Sequence, residues 1–165
     1  MSFYIAVVGG TQDDPETARL AEAVGREIAA RGGVLICGGG AGVMRAASRG
    51  AREHGGVVLG ILPGGDRSGG NPYLSLAVAT GLGDARNAII ARTVDAMIAV
   101  GGGYGTLSEI ALALKMDKPV VALQSWKVEA PVQPHRRIAH CSTAEAAVET
   151  AWQAAAGEGE AFVDN

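Results

Sequence analysis

Arg86 and Glu109 are the two residues whose types and placement invite chemistry. Each falls near the start of a helical stretch, and the two helices flank one apolar segment, 96–100, that reads as a buried strand. A guanidinium and a carboxylate brought to one pocket at a strand edge form a candidate pair for acid–base work and charge stabilisation. The tract Thr106-Leu107-Ser108-Glu109 also fits a capping box, in which Glu109 only satisfies a backbone amide of its own helix. Spacing alone leaves both readings open. His54, His135 and His140 have no metal-ligand spacing and read as surface or capping residues. No Ser, His and acid set and no Cys and His set points to a nucleophile, and no metal site is expected.

Four glycine-rich segments surround the pair: Gly9-Gly10-Thr11, Gly38-Gly39-Gly40-Ala41-Gly42, Gly64-Gly65, and Gly101-Gly102-Gly103-Tyr104-Gly105-Thr106. The 25 glycines among 165 residues are about twice the usual share of roughly 7%. Without a Cβ, a glycine lets the amides at a helix N-terminus face an anion directly, and such a terminus carries about half a positive charge. Phosphate is the expected guest, with Thr106 adding a hydroxyl donor. The candidate binding set is Gly9, Gly10, Thr11, Gly39, Gly40, Gly42, Val43, Gly102, Gly103, Tyr104, Gly105 and Thr106. Glycines easing tight turns are the plainer explanation for any single loop. Neither GxGxxG in its proper context nor GxxxxGK[ST] occurs, so an ordinary dinucleotide site and an ATPase loop are both unsupported.

The elements that must position these loops alternate. Strands are expected at 3–8, 34–37, 57–62, 76–79, 96–100, 120–123 and 138–141. Helices are expected from an Asp13 or Asp14 cap with Pro15 in the first turn up to Gly32, at 43–53, from an Asp84 cap to about Thr93, at 106–116, and from a capping box at 142–145 to about Ala156. Residues 63–73 and 124–137 read as irregular, and 157–165 as a frayed tail after one domain, 1–156. Strands alternating with helices of ten or more residues imply a single-domain α/β fold, a doubly wound parallel sheet with helices on both faces. In such sheets ligands bind beyond the carboxyl ends of the strands, where the glycine loops fall.

Composition narrows the function classes. Apolar residues make up 48% of the chain but aromatics only 4%, so the core is built from Ala, Val, Ile and Leu. Fourteen Lys and Arg against seventeen Asp and Glu give a net charge of −3, no field for gripping a nucleic-acid polymer. Cys37 and Cys141 form no CxxC pair and read as reduced, buried thiols. With no signal-peptide pattern and no apolar run of membrane-spanning length, a cytoplasmic protein is expected.

Arg86-Asn87 followed by the tract from Gly101 to Glu109 resembles the PGGxGTxxE hallmark of the LONELY GUY, or lysine-decarboxylase-like, Rossmann superfamily, which carries an Arg-Lys pair on the preceding helix. GGGAGVM at 38–44 is similar to that family's other phosphate loop. The likeness covers about residues 3–123 and points to a short branch of small Rossmann proteins that includes molybdenum-cofactor carriers. It implies a homo-oligomer that binds a small phosphorylated ligand and hydrolyses the N-glycosidic bond of a nucleoside 5′-monophosphate through Glu109 and Arg86, with no cofactor required. The alternatives are a non-enzymatic carrier holding molybdenum cofactor, or a similar phosphorylated pterin, as cargo, and a scaffold without a ligand. Two positions depart from the pattern: Gly101 stands for the family's proline, and Asn87 for its lysine, which removes a positive charge.

Overall fold

The computed structural model describes residues 2–128 and 138–158. Most of the expected irregular segment at 124–137, including Pro131, Pro134 and His135, and nearly all of the expected tail lie outside the described residues.

Seven short apolar runs form strands: β1 (Tyr4–Gly9), β2 (Val34–Cys37), β3 (Val57–Leu62), β4 (Leu76–Ala79), β5 (Ala96–Val100), β6 (Val120–Leu123) and β7 (Ile138–Cys141). The helices between them are α1 (Pro15–Ala30), α2 (Val43–Glu53), α3 (Asn87–Thr93), α4 (Tyr104–Lys115) and α5 (Ala144–Ala155), with a 3-10 turn at Gly83–Arg86 leading into α3. All strand pairs are parallel, in the order β4-β3-β2-β1-β5-β6-β7. The chain therefore winds outward from β1 to β4, then restarts on the other side of β1 at β5. The expected doubly wound α/β sheet is present, and its reversal of winding falls between β1 and β5.

Successive strand residues face opposite sides of the sheet. Ile5, Val7, Leu35 and Ile98 pack under α1, α2 and α5, while Ala6, Val8, Ile36 and Met97 pack under α3 and α4. Small residues let the layers come close. A Cβ at Gly25 of α1 would overlap the Ala47 carbonyl of α2, and one at Gly50 would overlap the Glu22 carbonyl of α1. The two helices thus touch through bare main chain, with Arg49 and Glu22 forming an ion pair beside the contact. Among the described residues no helix is long and apolar enough to cross a membrane.

Helix starts show where local reading succeeds and fails. Asp14 caps α1 by accepting from the Thr17 N–H at 2.9 Å, with Pro15 in the first turn. At α5 the cap is Thr143, accepting from the Ala146 N–H at 3.2 Å, one residue later than a capping box led by Ser142 requires. The expected Asp84 cap is not made. The 3-10 turn begins with Leu82 as its N-cap and has no side-chain cap, and its Ala85 N–H goes to the Leu82 carbonyl and its Asn87 N–H to the Ala85 and Asp84 carbonyls.

The α1–α2 contact yields a direct expectation. Gly25→Ala drives a methyl into a rigid carbonyl and lowers stability by about 3 kcal/mol, seen as a fall in Tm of roughly 6 to 12 °C. Gly65→Ala, where a Cβ meets nothing within 4 Å, leaves the thermal transition in place.

Candidate functional site

A cleft of about 620 Å³ opens at the carboxyl ends of β1 and β5, where the winding reverses, and its volume lies within the range of about 300 to 1,000 Å³ usual for small-ligand sites. Gly9, Gly10, Thr11, Gln12, Asp14 and Thr17 wall it from the β1–α1 side, and Val43 and Met44 come from α2. Asp84, Arg86 and Asn87 line it from the entry to α3, and Gly102, Gly103, Gly105, Thr106 and Glu109 from the start of α4.

Glu109 is no capping residue. Gly102 adopts φ +103° and turns the chain into α4 early, so the helix begins at Tyr104 with Gly103 as its N-cap, and Thr106 and Glu109 lie inside it. A Cβ at Gly102 would overlap the Thr106 side chain, so only glycine allows this turn. Gly103 has no side chain to cap with, which leaves the first-turn amides of α4 as donors facing the cleft region. Glu109 is 7% exposed and Thr106 3%. Burial pushes the Glu109 carboxyl up from 4.5 to about 7, with the Arg86 charge pulling in the opposite direction.

Arg86 is fixed by main chain. Its Nη1 donates to the Ile61 carbonyl at the end of β3 at 2.6 Å, and its guanidinium occupies the space that a Cβ at Gly38 would fill. Its Nε is buried with no hydrogen-bond partner. Among the described residues Arg86 makes no ion pair, so it influences Glu109 through space. Asn87, next along, is 7% exposed; its Nδ2 meets Ser108 Oγ at 3.4 Å and its Oδ1 is unpartnered. Two buried polar atoms without partners on neighbouring residues of the cleft wall are unusual in a protein interior, where such atoms are normally bonded.

The fold brings together Arg86, Glu109, Gly9, Gly10, Thr11, Val43, Gly102, Gly103, Gly105 and Thr106 from the sequence reading. It does not bring Gly39, Gly40 and Gly42 to the cleft wall. Their loop packs instead: the Gly39 N–H donates to Cys37 Sγ at 3.3 Å, Asn71 donates to the Gly39 and Gly40 carbonyls, and residues 10–12 lie against Gly42. The Val43 N–H, first amide of α2, donates to the Gly10 carbonyl at 3.0 Å and so is not open to an anion. Gly64 and Gly65 also lie off the cleft wall, and the Gly64 carbonyl accepts from the Gly81 N–H at 2.9 Å. Tyr104 is 84% exposed and rests against Trp126, ring centroids 5.9 Å apart, outside the cleft lining.

Sequence reading missed Ser125 and Trp126, whose side chains donate to the Gly101 and Gly103 carbonyls at 2.5 and 3.1 Å and strap the α4 loop in place. Their position just beyond β6, on the same sheet edge, was the available signal. Gln12, Thr17 and Met44 were also missed, and nothing in their local sequence marks them.

The chain matches the SLOG cluster4 family over residues 2–152. It is 49% identical over 120 residues to an uncharacterized protein of Archaeoglobus fulgidus, covering 73% of this chain and 79% of that one. It is 36% identical over 122 residues to the cytokinin riboside 5′-monophosphate phosphoribohydrolase of Mycobacterium marinum, covering 68% of this chain; the match spans 65% of that enzyme, just under two thirds of its length. Among solved structures, the molybdenum cofactor carrier protein of Chlamydomonas reinhardtii gives a TM-score of 0.81 at 31% identity, covering 94% of this chain and 99% of that one. The molybdenum cofactor binding protein of Rippkaea orientalis gives 0.74 at 43% identity, covering 77% and 78%. With a family match running nearly end to end through the cleft's Arg86 and its Gly102–Glu109 wall, the chain belongs to the SLOG cluster4 family.

Proposed function

We propose that the cleft binds a nucleoside 5′-monophosphate and hydrolyses its N-glycosidic bond, releasing the base and ribose 5-phosphate. The observation that carries this reading is Glu109: a carboxyl buried in the cleft wall and poised near neutrality, beside a guanidinium anchored by main chain. The phosphate sits on the uncapped first-turn amides of α4, at the positive end of the helix. The anomeric carbon then lies near Glu109. As the bond from that carbon to the base breaks, its electron pair passes to the base nitrogen and positive charge develops on the sugar, which the Glu109 carboxylate opposes. Glu109 takes a proton from the attacking water and returns it to the departing nitrogen, while the hydroxyl adds to the anomeric carbon. Arg86 cannot supply a proton; it acts through its fixed positive charge, held in place by the Ile61 carbonyl. The phosphoribohydrolase relative supports this reading.

A second reading, a carrier of molybdenum cofactor, is supported by the carrier structure that covers 99% of its own length on this chain, and by Asn87 in place of the family's lysine. The same amides would take the pterin's phosphate.

Incubation with AMP and other nucleoside monophosphates is expected to release ribose 5-phosphate, and Glu109→Gln to slow that release at least about 100-fold. No release by the wild-type chain, with pterin held equally by wild type and variant, would instead establish the carrier. Stability offers an independent check. Glu109 stays protonated in the folded chain up to about pH 7 but ionises from about 4.5 once unfolded, so its burial costs nothing at low pH and progressively more as pH rises between those values. Glu109→Gln is therefore expected to raise Tm at pH 8, by an amount reflecting up to roughly 3 kcal/mol, and to raise it far less at pH 5. Equal effects at both pH values would contradict the burial argument.

A further inference from the structure

Two aromatic side chains meet at the mouth of the cleft, in a chain with only 4% aromatics. Trp126 donates its indole N–H to the carbonyl of Gly103, and Tyr104 stands between Gly103 and Gly105, both of which line the cleft. Trp126 packs against the core beneath α3 and α4 and backs the tyrosine ring, centroids 5.9 Å apart and planes tilted by 34°. Tyr104 itself is 84% exposed, the barest large apolar side chain among the described residues. The fold gains little from a ring left so open.

Tyr104 is also the first residue of α4, so its own N–H belongs to the first-turn amides on which the phosphate is placed above. Helical side chains lean toward the N-terminus of their helix, which sets the ring beside the anion that its amide meets. A Cβ at Gly103 or at Gly105 would meet nothing within 4 Å, so the main chain on both sides of Tyr104 borders open space. A phosphate monoester leaves that space to water. A phosphate esterified on its outer side sends the second group past these bare glycines to the ring, and a flat aromatic group is what an open tyrosine face holds best. We propose that the cleft takes a ligand of the dinucleoside diphosphate class, with one half beside Glu109 and the base of the other stacked on Tyr104 over Trp126. This rests on the phosphate placement that both readings above share. Tyr104 binds ligand in this assignment and has no part in proton transfer. Stacking on a solvated ring lies toward the low end of what base–aromatic contacts contribute, and the gain expected is about tenfold in affinity.

Binding is measured by calorimetry in the Glu109→Gln background, which suspends turnover. Diadenosine diphosphate is compared with ADP-ribose, which has the same pyrophosphate diester but lacks the second base, and with AMP and inorganic phosphate. Diadenosine diphosphate is expected to bind about tenfold more tightly than ADP-ribose. Adding Tyr104→Phe should keep that ratio, and adding Tyr104→Ala should bring it near one. Tryptophan emission gives a second readout, because Trp152 packs on Phe3 and Gly33 at the amino ends of β1 and β2, far from the cleft. Diadenosine diphosphate should change the emission of Trp126, and AMP should not. Equal binding of the two diphosphates before Tyr104 is changed, a ratio that survives Tyr104→Ala, or an emission change with AMP overturns this inference while leaving the phosphate site intact. If neither AMP nor inorganic phosphate binds, the phosphate placement falls and this inference falls with it.

Discussion

Everything distinctive about the cleft depends on how Arg86 is held. A long, charged side chain at the start of a short helix would ordinarily be free in solvent. Here its Nη1 is bonded to the Ile61 carbonyl at the end of β3, and its guanidinium covers the bare Cα of Gly38 at the end of β2. The absent Cβ at position 38 is thus a requirement of the cation and not of a turn. So placed, the charge acts across the cleft on Glu109 without quenching it in a contact pair, and Glu109 remains able to gain or lose a proton near neutral pH. A contact ion pair would favour the charged form and pull the carboxyl down.

The parallel sheet makes that arrangement possible. Because every strand runs the same way, the loops after β1, β2, β3 and β5 all emerge on one edge, and the reversal of winding leaves a gap between the β1 and β5 exits. Glycine and alanine then bring main chain close to main chain around the gap. The Gly10 carbonyl takes the first amide of α2, and Ser125 and Trp126 tie down the carbonyls of Gly101 and Gly103. The result is a cleft in which the bare main chain of Gly9, Gly10, Gly102, Gly103 and Gly105 alternates with polar side chains, and backbone groups cannot swing away as side chains can.

The same close packing shows why a chain so rich in glycine is not correspondingly loose. Gly25 and Gly50 let α1 and α2 meet through their backbones, trading some chain entropy for dense contact over a core without large aromatic side chains. Glu109 works against this stability above neutral pH, since an ionised carboxylate is poorly solvated where it lies. A carboxyl that costs stability on the buried face of α4, between Thr106 and Ala113, is better explained by its place in the cleft than by any packing role.

Short continuous apolar runs and helical apolar patterns, together with glycine and proline punctuation, sufficed to locate the seven strands and five helices of the described residues and to order them into a doubly wound sheet, because those signals are local and repeat along the chain. The pairing of Arg86 with Glu109 was also legible, since both follow from which strand ends share an edge. Local sequence left a choice open at the tract from Thr106 to Glu109, which also matches a capping box; the positive φ at Gly102 starts α4 two residues earlier and carries Glu109 inside. It misled at Gly39, Gly40 and Gly42, where glycines suited to an anion serve instead to seat Leu62, Met44 and the chain at residues 10–12. Residue types alone therefore determined the layers and the edge at which ligands meet the fold. Which glycines face a ligand and which face a neighbour, and whether a glutamate is a surface cap or a buried acid, was decided only by tertiary contact, because a missing Cβ and a raised pKa both depend on what the rest of the chain places within a few ångströms.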